Sequence, residues 1–230
     1  MMLNSMATKD LSFRPSNHRP QEPKKAKGGT VLTAASAYEH SMALIRARLV
    51  SLERTLVGET SLMRAERIGF QVRKIVEGVT FAALSAVEQR NRSALPDKRT
   101  MDPSKLLAWL EKKSLLNLPA AQRIEPSPSS KYKVVLVGAM SENMNRQELD
   151  AAYSRASALV HERHPERLTS KAIVEELEAI REDARHLKSW LWLHLMHLRG
   201  ESFLVQMGQF GSSSFFRPLT RRGDLPAQPW

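Results

Sequence analysis

Apolar side chains recur at alternating steps of four and three from Tyr38 through Met42, Ile45, Leu49, Leu52 and Leu56, with Glu39, Arg46, Glu53 and Arg54 on the opposite side. That spacing predicts an amphipathic helix with one face on a core, ended by Gly58. A second helix is predicted from near Ser61 to about Arg92. Between Ile68 and Val87 it is apolar nearly all round, which places it at the centre of a bundle. Asp102 and Pro103 supply an N-cap and a first-turn proline for a short helix to Lys113, whose apolar side is Leu106, Leu107, Trp109 and Leu110. Asn145 caps a helix through about Glu162, stopped by Pro165. The longest stripe opens at Thr169 or Ser170 and takes in Ile173, Leu177, Ile180, Ala184, Leu187, Leu191, Leu195 and Leu198, with Gly200 at its end. This is a helix of about eight turns.

Period-two and β-branched segments are fewer. Tyr132 to Val137 (YKVVLV) ends at Gly138 and reads as a strand. Ser202 to Met207 and Ser214 to Leu219, with Gly208 and Gly211 between them, read as a hairpin that pairs with the strand at 132–137. Pro119, Pro126 and Pro128 mark a loop. The expected fold is mainly α: a bundle of about five helices with a small appended antiparallel sheet. Residues 1–30, with Pro15, Pro20, Pro23, Lys24, Lys25 and Lys27, read as a disordered basic tail, 31–220 as one domain and 221–230 as a C-terminal tail.

Composition narrows the class. Of 230 residues, 42% are hydrophobic and 26% charged, which suits a globular core and excludes collagen, rods and bulk disorder. The absence of cysteine removes disulfides, thiolate zinc sites and thiol nucleophiles, and points to a reducing compartment. The apolar run Trp190 to Met196 is far short of the roughly 20 residues that span a bilayer, and no signal-peptide core is present, so a cytoplasmic protein without a membrane partner is expected. The net charge of +11 is unevenly spread. Residues 1–30 carry six basic and two acidic groups, 31–92 nine and six, 93–133 eight and four, and 134–230 twelve of each. The excess therefore lies wholly in the first 133 residues, where it would gather a polyanion without reading its sequence.

Three constellations carry candidate chemistry. Arg73, Lys74 and Glu77 interrupt the apolar run of the second helix, with Arg73 and Glu77 one turn apart. They read as a structural ion pair or solvent-facing strip, or as support for a site. Arg155 and His161 form an Arg-x5-His spacing followed by His164 and Pro165. On a bound phosphodiester, arginine would hold the phosphate and histidine would exchange protons near neutral pH. On an ideal helix the two point about 120° apart, and the plainer reading is a helix C-terminus whose cations complement its dipole. The pairs His161/His164 and His194/His197 lack the third ligand a metal wants, so no metal or cofactor is expected, and His194 and His197 read as packing residues. No phosphate loop follows YKVVLVG, no GxSxG elbow accompanies Ser154 or Ser157, and no basic helix-turn-helix is recognisable.

With Arg73-Lys74-x-x-Glu77 in a central helix and Arg155-x5-His161 ahead of His164-Pro165, the chain over roughly residues 34–200 resembles the HEPN superfamily of small helical bundles, in particular its uncharacterised bacterial members. The resemblance implies an RNA-binding protein or a metal-independent ribonuclease, in the setting of toxins or phage defence. Arg155 would be the phosphate-binding cation, His161 the acid and base, and Arg73, Glu77 and His164 the supporting groups. It implies RNA as ligand, and a homodimer or cognate protein as partner. The alternative from another class is a non-catalytic interaction protein whose bundle docks a partner and whose basic tail tethers it.

Overall fold

The distribution of apolar residues decides which helix lies inside. This computed structural model describes residues 34–57, 61–87, 102–127, 134–160, 170–198, 201–207 and 216–219, all of which fall in one unit, Leu32–Trp230. The predicted tails at 1–30 and 221–230 lie outside the described residues. Helix α1 spans Ala34–Leu56 and buries Tyr38, Met42, Ile45, Leu49 and Leu52, the stripe expected from their spacing. Helix α2, Leu62–Val87, buries residues around most of its circumference, among them Ile68, Val72, Ile75, Val76, Val79 and Ala82. It packs against α1, α3 (Pro103–Lys112), α4 (Arg146–Val160) and α5 (Ser170–Trp192), and is the central helix.

Glycine makes two of these approaches close. A Cβ on Gly69 would meet the Leu159 Cβ at 3.1 Å and the Ala156 carbonyl oxygen at 3.2 Å, so α2 and α4 touch backbone to backbone there. A Cβ on Gly78 would meet Ile45 Cγ1 of α1 at 2.8 Å. The helix starts follow their caps. The Ser104 amide donates to the Asp102 carboxylate at 2.9 Å. Asn145 and Glu148 form a reciprocal capping box at α4, with the Glu148 amide donating to Asn145 Oδ1 at 3.0 Å and the Asn145 amide to Glu148 Oε2 at 2.7 Å.

The sheet has five antiparallel strands in the order β2-β1-β3-β4-β5. These are β1 (Ala120–Pro126), β2 (Val134–Gly138), β3 (Leu193–Leu198), β4 (Glu201–Gln206) and β5 (Phe216–Leu219). The mainly helical class with a small appended antiparallel sheet is as expected, but two segments depart from their predicted form. The stretch bracketed by Pro119 and Pro128 holds a strand, β1. Its own residues, AAQRIEP, favour a strand weakly, and its neighbours fix it. It pairs with β2 from Gln122↔Gly138 to Pro126↔Val134, the Ala121 amide donates to Asn143 Oδ1 at 2.7 Å, and the Ala139 amide donates to the Ala121 carbonyl at 2.9 Å. Pro126 stands last in the strand, where a missing N–H interrupts no inner rung.

The second departure is the end of the long helix, which stops at Trp192 and passes directly into β3. Leu191, Leu195 and Leu198 satisfy a helical period, but His194, Met196 and Leu198 equally satisfy a strand period. The apolar β4 decides between them by pairing with β3 from Leu193↔Gln206 to Leu198↔Glu201. As a result the C-terminal hairpin does not adjoin β2, because β1 and β3 lie between them. Bundle and sheet share one core, in which Tyr38, Ile75, Leu187, Trp190, Met196, Val205 and Phe216 belong to a single buried cluster. Trp190 anchors it by donating its Nε1 hydrogen to the Pro119 carbonyl at 2.9 Å.

Candidate functional site

Arg155 projects from α4 toward α5, where its Nε donates to Asp183 Oδ2 at 2.7 Å and its Nη2 donates to Asp183 Oδ1. The carboxylate is buried and the guanidinium exposed. This paired contact is the strong, geometrically specific form of an arginine–carboxylate bond. The bond to Asp183 raises the Arg155 pKa further above its ordinary value, against the opposing cost of burial. The pair lies in a cleft of about 310 Å³ between α4 and α5, which Glu148, Glu182 and His186 also line. Three carboxylates thus face one arginine, and the cleft repels a phosphodiester. His186 has a buried Nε2 without a hydrogen-bond partner. Sequence reasoning passed over it because it lies on the polar side of the long helical stripe, apart from any motif.

Arg73 and Glu77 are brought together on α2, Nε to Oε1 at 3.0 Å, and Lys74 joins from the adjacent turn with Nζ to Glu77 Oε2 at 2.6 Å. The hydrogen bond that Arg73 donates to Glu77 raises the Arg73 pKa. All three are part-exposed, so the cluster is a rim strip rather than a pair sealed in the core. Arg73 lies 5.5 Å from the centre of the Tyr153 ring on α4. Tyr153 and Arg155 are two residues apart and therefore point about 200° apart around α4. The Arg73–Glu77 cluster therefore lies beside the Tyr153 face of α4, and neither residue lines the cleft that holds Arg155. His161 and His164 lie outside the described residues.

The histidines of the second predicted pair, His194 and His197, separate because their segment is a strand. His194 is buried, and its ring contacts fix its tautomer: the Leu191 carbonyl, 3.0 Å from Nδ1, can only accept, so Nδ1 carries the proton. Nε2 then accepts from the Tyr38 hydroxyl at 3.1 Å. Burial pushes the His194 pKa down to about 4 and the Tyr38 phenol up. His197 is exposed and its Nδ1 lies 2.8 Å from Ser202 Oγ. Among the described residues no three His, Asp or Glu side chains gather as a metal-binding group, and no helix is long and apolar enough to cross a membrane.

A second depression, of about 520 Å³, lies between the C-terminal end of α5 and β1 and was not foreseen from the sequence. Arg185, Lys188, Ser189 and Trp192 line it from α5, with Gln122, Arg123 and Ile124 opposite. The four α5 residues follow one another at steps of three, one and three, the spacing of a single helix face. That pattern is legible in the chain once the helix is known to end at Trp192. The chain matches no protein-family model, curated protein or solved structure. The resemblance to HEPN bundles therefore rests on its motifs.

Proposed function

We propose that this chain is an RNA-binding protein of the HEPN-like helical-bundle kind, and that it binds RNA without cutting it. The observation that supports binding over cutting is the commitment of Arg155 to Asp183 in a cleft that also holds Glu148 and Glu182. A motif arginine so engaged has its donors turned to a carboxylate, and its surroundings oppose the approach of a phosphate. Glu77, on α2, is spent on Arg73 and Lys74 and does not line this cleft. The RNA-binding half of the proposal is supported by the net charge of +11 and by its concentration in the first 133 residues. Membership of a toxin or phage-defence system would follow from the resemblance alone.

Purified protein mixed with labelled single-stranded RNA in EDTA is expected to raise its anisotropy while the RNA stays full length on a denaturing gel. Arg155→Ala should leave both results unchanged. Cleavage that persists in EDTA and is abolished by His161→Ala would overturn the proposal in favour of a metal-independent ribonuclease.

A further inference from the structure

We infer that the groove between the end of α5 and β1 is where the RNA is held, with Trp192 as a stacking platform for an unpaired base and Arg185 as the cation for a neighbouring phosphate. The inference rests on the RNA-binding reading above and assigns it a surface. Trp192 is the last residue of α5 and is 43% exposed, although tryptophan is normally well buried. Its ring is backed on one side by Lys188, whose Nζ lies 5.3 Å from the ring centre. Lys188 is in turn fixed by Glu53 of α1, Nζ to Oε1 at 2.5 Å. The indole is therefore held in place from behind while much of its surface stays open to the groove. A ring presented in this way suits base stacking, which any base satisfies with its flat face.

The cations are arranged around that ring. Arg185 lies on the same face of α5 two turns earlier, is exposed, and has no partner among the described residues. Arg123 faces it from β1, in a half-exposed pair with Glu125 at 3.1 Å that a phosphate can displace at little cost. Among the described residues, the one acid lining the groove, Glu142, is turned to Ser189, whose hydroxyl donates to it at 2.7 Å. Charge and aromatic surface thus coincide here, whereas the α4–α5 cleft is acidic. A duplex has no free base face to offer Trp192, so the groove selects single strands.

The test measures anisotropy of a short fluorescein-labelled oligouridine with the full chain, in excess unlabelled duplex RNA to occupy sequence-blind cation sites. Trp192→Ala should weaken binding roughly tenfold, as expected for loss of one stacked base, and Trp192→Phe should retain most of it. Arg185→Gln should weaken binding and lower the salt slope by about 0.7, as for one phosphate contact on a single strand. Wild-type binding that neither Trp192→Ala nor Arg185→Gln weakens would overturn this assignment and leave the RNA-binding reading standing. Absence of any RNA binding by wild type would overturn both, and would return the groove to a protein partner.

Discussion

His194 is a buried titratable residue whose chemistry constrains the folded chain. In the core it is neutral, donating from Nδ1 to Leu191 and accepting from Tyr38. Its pKa of about 4 in the fold against 6.5 for the free side chain means that, between these values, the unfolded chain binds a proton that the folded chain refuses. Stability from this group is therefore intact above about pH 6.5 and is lost progressively as the pH falls toward 4, by roughly 3 kcal/mol when complete. Thermal unfolding of wild type and His194→Gln across this range should show the wild-type midpoint falling more steeply with acid. Parallel curves would remove His194 from the acid response. Arg155 teaches the complementary lesson. Its place in an Arg-x5-His spacing is visible in the chain, but the carboxylate that engages it is 28 residues away on another helix, and no local pattern announces that partner.

At the level of elements, what the chain discloses depends on where the determinants lie. Helices α1, α2 and α3 and the start of α4 carry theirs locally, in a stripe, an apolar circumference or a cap, and they fold where those signals stand. The capping box of α4 is measurable: Asn145→Ala removes the acceptor for the Glu148 amide and should cost about 1 kcal/mol, read as a lowered urea midpoint at unchanged slope. Asn145→Asp, which keeps the acceptor, should restore most of it. Strand β1 is the opposite case, since its ladder to β2 and the Asn143 side chain create it, and its own Ala, Gln and Glu do not. Between them lies the end of α5. There a helical and a strand period coexist over Leu191 to Leu198, and the choice is made by the partner strand rather than by the segment. The groove lined by Trp192 was hidden for that reason. A helix continued to Gly200 would have placed Trp192 in mid-helix, with no sheet opposite it.

For the whole molecule, two kinds of RNA contact are expected, and ionic strength separates them. On the proposed reading, the basic excess of residues 1–133 would act on any polyanion, whereas Trp192 would act only on an exposed base. Replacing Lys24, Lys25 and Lys27 together by glutamine should lower the slope of log affinity against log salt by about two, roughly 0.7 for each lost phosphate contact. Trp192→Ala should shift the same line downward and leave its slope unchanged. An unaltered slope in the triple variant would exclude those lysines from the contact. The direct passage from α5 into β3 also has a consequence for how the gene can vary. A helix tolerates an added residue by rotating about 100°, but a strand reverses its faces with each one. A single codon inserted between Trp192 and Leu193 would turn His194, Met196 and Leu198 outward and break their register with β4. In-frame insertions and deletions should therefore be purged from β3, Leu193–Leu198, and sequence divergence there should proceed by substitution alone.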